Sequence, residues 1–153
     1  MKILSFLLLT IIFSTCNQDD QLVLNETDYL MFGHFYGECE GEGCIETYKL
    51  TNTQLFEEVN DHYAGAGEFS FVELSNELFN QVNNLPSYLP EELLQQEEQT
   101  FGCPDCADQG GLFIQVSTDG ETKTWIIDQT KRTVPEYLHE FMGKVNEKIA
   151  VIN

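Results

Sequence analysis

Apolar and polar positions alternate along most of the chain with the two-residue period of strands, and two stretches shift to the longer period of a helix. Residues 29–36 are aromatic and apolar, interrupted by Gly33 and His34, and predict a first strand. Ile45-Glu46-Thr47-Tyr48-Lys49-Leu50 alternates as a half-buried strand does. Thr51-Asn52-Thr53 makes a turn, and residues 54–59 return as its hairpin partner. Gly65-Ala66-Gly67 breaks the pattern before a further strand over residues 68–74. Ser75 suits the N-cap of a helix carrying Leu78, Phe79 and Val82 on one face. Pro86 and Pro90 punctuate, and Pro90 opens a short second helix through Leu94. Residues 112–117 and 121–127 flank Asp119-Gly120, a strong two-residue hairpin signal. Thr133-x-x-Glu136 reads as a capping box for a final helix with an apolar stripe of Leu138, Phe141, Met142, Val145 and Ile149.

This order of strands, helix, hairpin and helix predicts an α+β fold. The expected form is an antiparallel sheet of about five strands with two main helices packed on one face. A chain of 153 residues, 42% hydrophobic and 12% aromatic, has material for one core, and residues 28–153 are expected to form a single domain. No internal repeat is evident.

The first residues follow a different logic. Met1-Lys2 precedes an apolar stretch over residues 3–13, then Ser14-Thr15-Cys16. A stretch of eleven residues is too short to span a bilayer, which takes roughly 20. A positive start, a short apolar run and small residues describe a secretory signal, here residues 1–15. The segment resembles a bacterial lipoprotein signal, although Phe13 is bulkier than the usual Leu. The resemblance implies lipidation of Cys16 and anchoring in the outer membrane. Several acyl chains on one residue make such anchoring stable, each buried methylene contributing about 0.8 kcal/mol. Asn17-Gln18-Asp19-Asp20 resembles the surface-export signal of lipoproteins from the Bacteroidota, and residues 16–27 read as lipidated Cys and acidic tether.

Charge sharpens the picture. The chain carries 26 Asp+Glu against 7 Lys+Arg, a net charge of −19. Residues 17–120 hold 21 acids and one base, Lys49, whereas residues 121–153 hold five of each. Such acidity excludes nucleic-acid binding through phosphates and disfavours anionic headgroups. It suits a basic protein partner or cations, and equally general solubility or saline surroundings.

Five Cys is an odd count. Lipidation of Cys16 leaves Cys39, Cys44, Cys103 and Cys106, which in an oxidising compartment read as two disulfides with three possible connectivities. The Gly-rich run from Glu38 to Cys44 lets the chain fold back, which favours local pairs. Two other readings compete. Zinc held by the four thiolates would use CxxxxC and CxxC spacings, the first looser than usual. Thiol–disulfide redox chemistry at Cys103-Pro104-Asp105-Cys106 would want a following helix to lower the attacking thiol's pKa. Here Ala107-Asp108-Gln109-Gly110-Gly111 and a strand follow instead, and Asp105 and Asp108 would raise that pKa.

Gly37-Glu38-Cys39-Glu40-Gly41-Glu42-Gly43-Cys44 leading to Tyr48 resembles the CxGxCPxY-like segment of a family of small Bacteroidota lipoproteins. It departs by one extra residue between the Cys and by lacking the Pro. The family's element order, a hairpin, a last hairpin and a C-terminal helix, covers most of residues 30–150. The family is a domain of unknown function, so the resemblance implies fold and address rather than activity.

No catalytic constellation stands out, and the expectation is a non-enzymatic binding domain without a cofactor. No GxSxG occurs, and His34, His62 and His139 sit alone in a strand, a loop and the last helix. Calcium is a further candidate: Glu38, Glu40 and Glu42 lie in one loop, Asp105 and Asp108 in another, and hard oxygen ligands are what it takes. If those loops meet, their carboxylates would repel unless a cation sat between them.

Overall fold

The computed structural model describes residues 21–39 and 43–153; the leader, Cys16 and residues 40–42 lie outside the described residues. Among the described residues seven strands form one sheet: β1 (Tyr29–Phe35), β2 (Ile45–Leu50), β3 (Leu55–Glu58), β4 (Phe71–Glu73), β5 (Thr100–Phe101), β6 (Gly111–Thr118) and β7 (Glu121–Asp128). Their order is β4-β3-β2-β1-β6-β7-β5. The α+β class holds, but the sheet is larger than five strands and mixed. The pairing of β5 with β7 is parallel, and all other pairs are antiparallel. A two-residue strand has too little sequence to show a period, and parallel pairing is set by contacts remote in the chain.

Alternation along β1 sends Leu30 and Phe32 to one face and Met31 and Phe35 to the other. The first face carries the main core. There Phe32 meets Tyr48 at 5.6 Å, and Leu112, Ile114, Val116, Trp125 and Ile127 continue the layer. Helices α1 (Asn76–Val82), α2 (Glu91–Leu94) and α3 (His139–Ile152) cover it, contributing Val82, Leu93, Phe141, Met142, Val145 and Ile149. Leu22 and Leu24, within the stretch expected as tether, pack against the same core. The second face is thinner. Met31, Phe35 and Phe113 are covered by Ala64 and Phe69 of the β3–β4 connection. On it Lys49 lies 4.6 Å from the Tyr29 ring and 5.4 Å from that of Phe71.

Local chemistry explains most boundaries. Ser75 caps α1 by accepting from the Leu78 N–H. The β6–β7 turn places Asp119 at φ 52° and Gly120 at φ 82°, the left-handed pair a type I′ hairpin needs. The expected capping box does not form. Thr133 lies in a 3-10 turn, and α3 starts at His139, six residues later, with no side-chain cap. Pro135 disfavours helical geometry at Val134, which is extended at φ −121° and ψ 155°, so the chain leaves Thr133 in the wrong direction to cap α3. Among the described residues, no helix is long and apolar enough to cross a membrane.

Candidate functional site

The antiparallel register gathers the chemistry at one end of the sheet. Phe35 stands opposite both Ile45 and Gly111, and Gly111 opposite Asp128. The β1–β2 loop, the β5–β6 loop and the end of β7 therefore emerge side by side. Both Cys-bearing loops are at this end. Each loop closes locally, with Cys39 and Cys44 at disulfide distance (Cα–Cα 5.7 Å) and Cys103 and Cys106 likewise (5.5 Å).

Asp105 joins the two loops. Its Oδ2 accepts the Gly37 N–H at 2.7 Å and the Tyr63 hydroxyl at 2.8 Å, while Oδ1 accepts the Gly110 N–H at 3.0 Å. The two loops thus do meet, but through the Asp105 carboxylate and the Gly37 backbone rather than carboxylate to carboxylate. Close approach explains the glycines here. A side chain on Gly37 would strike the Asp105 carboxylate, and one on Gly110, at φ 73°, would strike the Tyr36 ring. Asp105 itself takes φ 59°, which Asp tolerates better than most residues.

Asp128, at the end of β7, ties the β5–β6 loop to the segment that follows β7. It is buried and accepts hydrogen bonds from the N–H of Cys103 and Thr130, the Gln109 amide and the Thr133 hydroxyl. Burial alone would raise its pKa, but these donors outweigh that and hold it down at about 2. Sequence reasoning missed Asp128, which reads only as the polar end of a strand. The Thr133 hydroxyl that looked like a helix cap serves this carboxylate.

Of the calcium candidates, Glu38 is exposed, Asp108 is exposed at φ 56°, and Glu40 and Glu42 lie outside the described residues. Among the described residues, no three His, Cys, Asp or Glu side chains converge as a metal cluster. The segment after Cys106 is a turn leading into β6, with no helix aimed at the thiols. Each His faces a backbone carbonyl: Nε2 of His34 lies 3.0 Å from that of Gly43, His62 2.8 Å from Glu68, and His139 2.7 Å from Lys131. An accepting carbonyl requires each of those nitrogens to carry the proton, so the three rings brace loops.

The geometry is that of a braced end: Asp105 bridges two loops whose Cys pairs lie at disulfide distance, and Asp128 fixes the second of them to the chain after β7. No known family model and no curated protein matches the chain.

Proposed function

We propose that this chain is an exported lipoprotein, anchored through Cys16 to the outer membrane, whose domain is a non-enzymatic binding module. The address rests on the leader ending in Ser14-Thr15-Cys16 and on the resemblance of residues 37–48 to the small Bacteroidota lipoproteins. One observation carries the binding reading: Asp105 spends all three of its contacts on Gly37, Tyr63 and Gly110, holding two exposed Cys loops as one surface. Loops held rigid before contact lose less entropy on binding, which is how small modules gain affinity. The acidic balance of residues 17–120 selects basic partners.

Labelling cells with radioactive palmitate tests the anchor: the label is expected on the wild type and absent from Cys16→Ala. For the module, partner capture from envelope extracts is expected to weaken in Asp105→Ala while thermal unfolding stays cooperative. Insulin reduction by the purified domain, lost in Cys103→Ser, would replace this reading with an oxidoreductase using Cys103 and Cys106. Saturable calcium or zinc uptake in calorimetry, lost when the loop acids or thiols are changed, would replace it with a metal module.

A further inference from the structure

We infer that the open edge of β7 accepts an extended, basic segment of a partner protein as an added strand. The inference rests on the binding-module reading and gives that module a second surface, at the opposite end of the sheet from the Cys loops. Strand β7 is 8 residues long, yet β5 pairs with it only at Ile126 and Ile127. Ile126 donates its N–H outward to the Gln99 carbonyl at 2.8 Å. Amide direction alternates along a strand, so Thr124 and Thr122 aim their N–H and C=O groups to the same side.

Nothing from the chain's own neighbouring segment takes up those groups. Among the described residues, no backbone bond from residues 95–98 reaches β7. That segment instead stands off, leaving a groove of about 470 Å³ between Gln95, Glu97 and Gln99 on one wall and Thr122, Thr124 and Trp125 on the other. The threonine side chains are already committed across the sheet, Thr122 to the Ser117 hydroxyl and Thr124 to the Gln115 amide. What the groove offers is therefore backbone, the group that strand addition reads.

Charge selects the occupant. Glu97 lines the groove, Glu98 follows it in the chain and Glu121 opens β7, and all three are exposed. The one base in the lining, Lys123, is held by the Leu94 carbonyl, to which its ammonium donates. A second copy of this chain would bring the same acid excess and be repelled. A strand with lysine or arginine on alternate positions meets both the ladder and the acids.

The test uses the purified protein, labelled with ¹⁵N, and a short blocked peptide of alternating lysine and valine. At saturation, hydrogen exchange at the Thr122 and Thr124 amides is expected to slow at least about tenfold. Glu97→Lys combined with Glu98→Lys is expected to weaken binding at low salt by about tenfold or more. A peptide of the same charge, N-methylated at alternate residues, cannot complete the ladder and is expected to give no protection. Equal binding of the methylated peptide, shifts centred on the Cys loops or on β4, or unchanged exchange at Thr122 and Thr124 would each overturn the inference. An envelope partner retained undiminished by the Glu97→Lys, Glu98→Lys protein would leave the binding module standing and remove β7 as its edge. Loss of partner capture in the wild type would remove both.

Discussion

Asp128 accepts four hydrogen bonds from four residues in two separate segments, and its low pKa makes it a source of acid sensitivity. Its folded value of about 2 lies below the ordinary 3.8, so its stabilisation is present above pH 4 and is lost as pH falls towards 2. That difference corresponds to roughly 2–3 kcal/mol. Urea unfolding at stepped pH is expected to show this loss in the wild type and a flatter profile in Asp128→Asn, which cannot satisfy all four donors. For Asp105→Asn, the new amide turns N–H towards N–H or hydroxyl donors at one oxygen position. The expected cost is about 1–3 kcal/mol in chemical unfolding at neutral pH. Both aspartates were hard to read in the sequence for one physical reason. A carboxylate's role is decided by which donors the fold brings to it, and Gly37, Tyr63, Cys103 and Thr133 are remote in the chain from the acid they serve or carry other signals. Asp105 looked like a calcium ligand or a thiol neighbour, and Asp128 carried no signal.

At the level of elements, local chemistry was legible wherever it acts locally. Strand β2 keeps its expected bounds, the Asp119-Gly120 hairpin forms, and Ser75 caps α1. Elements set by distant partners were not legible: β5 exists because Phe101 finds Ile127, and β4 shrinks to three residues around Val72. Thr133 was misread because a capping box is a local pattern and Pro135 breaks its geometry. Two substitutions separate these cases. Ser75→Ala is expected to cost about 1 kcal/mol by removing the Leu78 cap. Thr133→Val is expected to leave the far-ultraviolet circular dichroism of α3 unchanged while shifting the acid transition of Asp128 upwards. An upward shift in Thr133→Val with intact helicity identifies the hydroxyl as a carboxylate partner; lost helicity would restore the capping role.

For the whole molecule, cross-links and charge act in opposite directions on a core that does not depend on either. The cystine loops span sequence separations of only 5 and 3, so a loop-entropy model assigns roughly 2 kcal/mol to each. The main core, from Leu30 across to Ile149, includes neither Cys pair. Reduction is therefore expected to lower the unfolding midpoint while leaving a folded, cooperative domain, as read by near-ultraviolet circular dichroism with and without reductant. Charge opposes the fold. Among the described residues there is one salt bridge, Lys144–Glu147 at 2.8 Å, against a strong excess of acids. Glu57 feels this excess: desolvation, then the charges of Glu46 and Asp61, raise its pKa. A carboxylate with a raised folded pKa destabilises the fold where it is ionised, and stability returns as pH falls through that value. Glu57→Gln is therefore expected to stabilise the protein at neutral pH and to make no difference in acid. Added salt screens the same repulsion, since the Debye length shrinks from about 30 Å at 0.01 M to about 10 Å at 0.1 M. Calorimetry across that range is expected to show a rising unfolding temperature, with a smaller rise in Glu57→Gln. A falling temperature would mean that attractive pairs, not the acid excess of residues 17–120, dominate the electrostatics of this fold.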